Sequence, residues 1–163
     1  MSAVAHAAPK VAIRRGAAGD ASEIADVYLT SRRQAAAYIP RISHTADEVR
    51  EWFAAIVLVQ HEVWVAVFGD RIVAAMVLRG ESLDQLYVRP EFQRRGIGTR
   101  LLDHAKKQCR VLRLYTFESN EPARDFYEKH GFTAIAFGDG TANEEGAPDV
   151  LYEWRRRLKG IIR

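Results

Sequence analysis

The stretch EFQRRGIGTRLLDHAKK, Glu91 to Lys107, decides how this chain is read. Gly96 and Gly98 stand one residue apart behind two arginines. From there Ile97, Leu101, Leu102 and Ala105 fall on one side of a helix. Glycine in a helix interior costs about 1 kcal/mol relative to alanine. A pair of glycines at a helix start therefore suggests that something approaches bare backbone. Amides at a helix N-terminus carry partial positive charge, and missing β-carbons let an anion come close. The spacing predicts that backbone N–H groups from Arg94 to Thr99 point into one concavity.

Three phosphate-binding patterns compete for this loop. A P-loop needs Gly-Lys followed by Ser or Thr, which the chain lacks. A dinucleotide fingerprint needs GxGxxG after the first strand, but Leu101 stands where its third glycine belongs and the strand is a late one. The pattern Gln/Arg-x-x-Gly-x-Gly/Ala is met by Gln93, Gly96 and Gly98. Taken by itself the loop is also compatible with a plain strand-to-helix turn.

Outside the loop, 163 residues of which 48% are hydrophobic are enough to bury a proper core. A net charge of +3 argues against a nucleic-acid binder, which concentrates basic residues in a stripe. The densest basic run, Arg155 to Lys159, lies at the end of the chain and reads as solvated. The single cysteine, Cys109, excludes an internal disulfide and fits a reducing compartment. With no HExxH and no CxxC, no metal site is expected. The longest apolar run, Ile72 to Leu78, is far short of the roughly 20 residues of a membrane span. The first ten residues lack the marks of a signal peptide, so a cytoplasmic location and no membrane partner are expected.

Periodicity orders the elements. VAIRRG (Val11–Gly16) reads as a strand, then DASEIADVYLTSRRQAA as a helix with Ile24, Val27 and Tyr28 on its apolar face. Asp20 and Glu23 have capping-box spacing there. Thr45 and Glu48 repeat it before a second helix, whose Val49, Trp52, Phe53 and Ile56 fall at i, i+3, i+4, i+7. Three strand-like runs follow, EVWVAVF, RIVAAMVL and SLDQLYV, the first two joined at Gly69-Asp70 as a hairpin. Simple alternation puts Ser82, Asp84 and Leu86 on one face of the third run. After the glycine loop and its helix come the strand VLRLYTFE, the helix NEPARDFYEKHG, the strand FTAIAF, a polar loop and the strand VLYEWRRRL. The order β-α-α-β-β-β-α-β-α-β-β predicts an α/β fold, a mixed sheet of about seven strands with about four helices on its faces. One domain over 11–158 is expected, with tails at 1–10 and 159–163. The glycine loop then sits where a strand ends and a helix begins, which is where open α/β sheets place ligands.

Two stretches together carry a family resemblance: LDQLYVRPEFQRRGIGTRLLDHAKK and LRLYTFESNEPARDFYEKHGF. The first resembles the acetyl-CoA motif of the GCN5-related N-acetyltransferase (GNAT) superfamily. The second is similar to its Asn-x6-Tyr-x3-Gly-Phe motif, met by Asn120, Tyr127, Gly131 and Phe132. The match in order and spacing runs from about Val11 to about Trp154.

The resemblance implies a mostly antiparallel sheet with a splay between two strands, acetyl-CoA as the acyl donor and CoA as product. It implies that backbone groups of Leu86, Tyr87 and Val88 hold the pantetheine arm. Gln93, Arg94, Arg95, Gly96, Ile97, Gly98 and Thr99 would cradle the pyrophosphate, and Asn120 would touch the cofactor from the next helix. Tyr127 would stand near the thioester sulfur and protonate the departing thiolate, with the Val88 N–H polarising the carbonyl. The attacking amine must arrive neutral although a lysine-like amine has a pKa of roughly 10.4. Asp84, on the strand before the loop, and Glu118, at the end of the next one, are the candidate bases.

The acceptor side is less patterned. His44 precedes the second helix, and Glu144, Glu145 and Asp149 lie in or beside the last loop, where acidic groups would attract a cationic amine. The acceptor is expected to be an amine of a small molecule or protein, with the enzyme a monomer or homodimer. The competing reading is a non-catalytic acyl-CoA-binding module on the same fold.

Overall fold

A computed structural model describes residues 10–158 and 160. The expected tails, 1–10 and 159–163, fall almost wholly outside the described residues. The elements run β1 (Val11–Arg15), a 3-10 turn (Ala18–Asp20), α1 (Ala21–Gln34), α2 (Ala46–Trp52), a π-helical turn (Phe53–Val57), α3 (Leu58–Gln60) and β2 (Glu62–Phe68). They continue with β3 (Arg71–Arg79), β4 (Ser82–Val88), a 3-10 turn (Pro90–Phe92) and α4 (Ile97–Gln108). The chain closes with β5 (Val111–Phe117), α5 (Glu121–Lys129), β6 (Thr133–Gly138) and β7 (Asp149–Arg155). Because α2 passes through the π turn into α3 without a break, four helical rods flank seven strands, in the order expected.

The strands form one sheet in the order β1-β2-β3-β4-β5-β7-β6. Neighbours are antiparallel except β4 and β5, which are parallel. β3 is an unbroken apolar run because it is central and covered on both faces. One face carries α4 and α5, where Leu101, Leu102 and Phe132 pack on Met76, Leu114 and Tyr152. The other carries α1 and α2, where Ile24, Val27 and Phe53 pack on Val65, Ile72 and Val77. The sheet thus has two cores, and the rift between β4 and β5 opens between them.

Local signals held in part. Thr45 and Glu48 form the capping box: Thr45 Oγ1 accepts from the Glu48 N–H at 3.2 Å and Glu48 Oε2 from the Thr45 N–H at 2.7 Å. Asp20 and Glu23 do not. Asp20 instead accepts from the Ala17 N–H at 2.7 Å and pairs with Arg14 at 2.8 Å. Glu23 is drawn away by tertiary structure, accepting from the Ile72 N–H at 2.9 Å. The second helix also departs from simple periodicity. Its π turn adds a residue to that turn, so Val57 is buried while Trp52 and Ile56 are each 38% exposed.

β4 departs from simple alternation as well. In its register with β3, Val77 pairs with Gln85 and Leu78 with Leu83, leaving Asp84 as the extra residue of a β-bulge. Alternation breaks there. Leu83 and Leu86 both pack toward α4 and α5, so Asp84 does not share a face with Leu86. It looks instead toward α2.

Candidate active site

Ser82 pairs with Arg113, and no further β4–β5 pair exists among the described residues. Past that point the strands diverge, and a cleft of about 700 Å³ opens between them. Leu86, Tyr87 and Val88 line one wall; Tyr115, Thr116 and Phe117 line the other. The end of α1, the segment after it and the β6–β7 loop close the α1 side.

The backbone direction of β4 decides what the cleft wall offers. The Arg89 N–H donates to Val73 O on β3 at 2.8 Å. Backbone groups alternate along a strand, so the amides of Leu86 and Val88 face the cleft while those of Tyr87 face β3. The Val88 carbonyl is already taken, accepting from Ser31 Oγ at 2.9 Å and Gln93 Nε2 at 3.0 Å. Val88 therefore presents a donor, and Tyr87 presents its side chain.

Next to this wall the glycine loop leaves a row of donors. The Gln93 N–H goes to Pro90 O and the Arg100 N–H to Gly96 O. Between them, among the described residues, no amide from Arg94 to Thr99 donates to a protein acceptor. Gly96 is the N-cap of α4, has φ +78° and adds no side-chain cap. A β-carbon there would meet nothing within 4 Å, so the space in front of it is open. Gly98 has the different role of letting α4 pack closely: its β-carbon would lie 3.5 Å from Phe126 Cζ and 3.7 Å from Val88 Cγ2. Arg94 also adopts a positive φ, 61°. Ile97 is buried in the core, and Arg95 lies over the Phe92 ring at 5.2 Å. The Thr99 hydroxyl bonds His130 Nε2 at 2.9 Å; because His130 Nδ1 donates to Phe126 O at 2.6 Å, a neutral ring accepts from Thr99. Free amides, a helix N-terminus and open space fit a diphosphate.

The other expected site residues do not all reach the cleft. Asn120 lines the cleft, with Oδ1 spent on capping α5 through the Ala123 N–H (3.3 Å), leaving its amide NH2 available. Tyr127 does not line the cleft: it is buried behind it against Phe126, Phe132 and Tyr152, and its hydroxyl bonds no protein group among the described residues. Burial first, and the neighbouring Tyr87 second, push its pKa above the ordinary tyrosine value. Tyr87 is likewise pushed up to about 12, chiefly by burial and then by Tyr28.

Asp84 lies outside the main cleft. It lines a smaller cavity of about 250 Å³ with His61, Gln85 and Trp52, accepts from Ser82 Oγ at 2.6 Å and pairs with Arg79 at 3.1 Å. Tyr115 borders both spaces. Glu118 is exposed and does not line either one. His44 and Glu144 do not line the cleft; they meet each other at 2.7 Å as an exposed link between the α1–α2 segment and the β6–β7 loop. The acidic residues that do line the cleft are Glu145 and Asp149. Arg32 lines it too, buried at the last turn of α1, 3.8 Å from Glu145. Sequence reading passed over Arg32, because a charged residue in a last helical turn ordinarily faces solvent.

Residues 59–134, which hold the splayed β4–β5 pair and the glycine-built start of α4, match the acetyltransferase (GNAT) domain. The chain is similar to this family over just under half of its length. Over 90 residues it is 36% identical to the peptidyl-lysine N-acetyltransferase YjaB of Salmonella typhimurium, a match covering 55% of this chain and 61% of that one. The alignment thus spans about three fifths of the relative's length. The solution structure of apo YjaB from Escherichia coli superposes with TM-score 0.73 at 24% identity, over 88% of this chain and 97% of that one. The PaiA N-acetyltransferase of Thermoplasma acidophilum, solved with coenzyme A, superposes with TM-score 0.67 at 19% identity, over 90% and 99%. These two likenesses concern the fold. Among the described residues no helix is long and apolar enough to cross a membrane.

Proposed function

We propose that the protein transfers an acetyl group from acetyl-CoA to a primary amine by direct attack. The observation that carries this reading is the continuity of two features: the inward amides of Leu86 and Val88, and the free amides of Arg94 to Thr99 at the foot of the same cleft. An acyl-pantetheine arm bound along β4 would replace the missing β5 hydrogen bonds, with its diphosphate on the α4 N-terminus. Its thioester oxygen would accept from the Val88 N–H, which stabilises the charge that develops there.

The amine nitrogen attacks the thioester carbon, the C–S bond breaks, and the thiolate leaves toward Tyr127. A phenol whose pKa is raised stays protonated at neutral pH, so Tyr127 has a proton to donate as negative charge builds on sulfur. The amine's own proton must go to a base. Asp84 takes it through a bridging water from the Tyr115 side of the cleft, and Arg79 holds the carboxylate in place. Glu145 and Asp149 attract the incoming cation. The names of the curated relatives favour a lysine side chain of a protein as acceptor.

Incubating the protein with acetyl-CoA and an amine panel, with free thiol and acetylated amine both quantified, tests the reading. Stoichiometric appearance of the two products is expected. Tight acetyl-CoA binding with no amine-dependent thiol release identifies a non-catalytic acyl-CoA-binding module instead.

A further inference from the structure

Arg32 is a cation short of partners. Its side chain is only 8% exposed, yet its hydrogen bonding is sparse: Nη2 donates to Pro40 O at 3.1 Å, the neighbouring Tyr87 hydroxyl offers a neutral acceptor, and Nε is shielded from water with no partner. The nearest carboxylate, Glu145 Oε1, stands 3.8 Å away, beyond hydrogen-bond reach. Tyr28 and Phe117 hold the guanidinium carbon 5.8 Å and 5.9 Å from their ring centres and fix its position. The last turn of α1 adds partial negative charge, but a helix dipole supplies no acceptor for these N–H groups. A buried charge left this poorly bonded is costly unless something completes it.

An anion that enters the cleft from the α1 face would supply the missing charge-assisted bonds. A diphosphate has its own row of amides on the α4 face. A second highly charged phosphate would be repelled by Glu145 and Asp149, which line the same cleft. A carboxylate suits the planar guanidinium, and an amine carried on the same molecule would face those two acids.

We infer that the acceptor carries a carboxylate beside its amine and that Arg32 binds this carboxylate; the inference rests on the acetyl-transfer reading above. The carboxylate belongs either to a free amino acid or to an acidic residue flanking a target lysine in a peptide.

Two substrate pairs separate these sources: L-lysine against cadaverine, and a lysine peptide flanked by glutamate against the same peptide flanked by glutamine. With the full chain and acetyl-CoA, kcat/KM in one of the pairs should favour the carboxylate member by about ten- to hundredfold, the range of a charge-assisted hydrogen bond. The pair that shows it names the source. Arg32→Gln should bring that preference within about threefold while calorimetry finds CoA affinity unchanged. Should Arg32→Gln not fold, Arg32→Lys keeps the charge and loses the planar fork, and the preference must still drop.

Wild-type protein with no preference in either pair would overturn the inference, as would a preference that survives in the variant. If Arg32 serves Glu145 alone, Arg32→Gln and Glu145→Gln will lower both members of each pair equally, which also overturns it. If no amine is acetylated at all, the transfer reading fails. Calorimetry of CoA-saturated protein with the same pairs then decides the inference by itself. Selective binding of a carboxylate member, lost in the Arg32 variant, supports it; equal or absent heats refute it.

Discussion

Ser82 of β4 pairs with Arg113 of β5, and beyond that single register the two strands part. Every group proposed to hold the acyl donor lies past this point, on the side where β4 has lost its neighbour. A parallel pair zipped to its end would spend the Leu86 and Val88 amides on β5 and leave no cleft.

The open space before Gly96 sets the first expectation. Gly96→Val places a branched side chain where an anion is proposed to sit, and it also forces a β-branched residue to φ +78°. Left-handed backbone costs roughly 1–2 kcal/mol for an ordinary residue and less for asparagine. Gly96→Val is expected to abolish CoA binding by calorimetry and to lower stability in urea by about that amount. Gly96→Asn should recover most of the stability but not the binding. Undiminished CoA affinity in both variants would remove the loop from the donor site.

Tyr127→Phe removes a hydroxyl that bonds no protein group among the described residues, so the melting temperature and CoA affinity should hardly change. General acid catalysis typically contributes about 10²–10⁴-fold, and turnover is expected to fall within that range. A rate within about twofold of wild type would leave Tyr127 a packing residue for Phe126, Phe132 and Tyr152.

Asp84→Asn keeps the shape of the bulge and removes its charge. Acceptor-dependent kcat/KM should fall while CoA affinity stays within error. The loss of the pair with Arg79 should cost stability no more than about 1 kcal/mol, as for partly exposed ion pairs. Identical activity of the two proteins from about pH 6 to 9, the span over which amines and bases titrate, eliminates Asp84 from the mechanism.

Asp20 gives a pH test of the fold that is independent of activity. The Arg14 side chain bonds its carboxylate and, with the Ala17 N–H, holds its pKa below the ordinary value of 3.8. A depressed carboxyl pKa stabilises the folded state above the unfolded value and loses that contribution as pH falls through the folded value. Wild type should therefore be more stable than Asp20→Asn at pH 7 in urea titrations, and the gap should shrink as acid carries the solution below about 3.8. A gap that is constant with pH would mean that the charge plays no part.

Much of this molecule is legible in its sequence because the signals are local. The apolar stripe of Ile97, Leu101, Leu102 and Ala105, the Thr45–Glu48 capping box and the Gly69-Asp70 hairpin each need only neighbours within a turn or two. The paired glycines likewise announce a helix start with bare backbone, and the order of strands and helices follows from periodicity. What the tertiary structure decided depends on registers between distant segments. Pairing with β3 makes Asp84 a bulge residue and turns it from the face of Leu86 toward α2. A π turn exchanges Ile56 for Val57 in the core. The Ile72 amide recruits Glu23 from its expected cap. Arg32 becomes a cleft residue only because Phe117 and Glu145, far along the chain, fold over it. Local periodicity fixes which way a side chain faces along its own element, but a cleft is made by the elements that arrive opposite, and no local pattern encodes those.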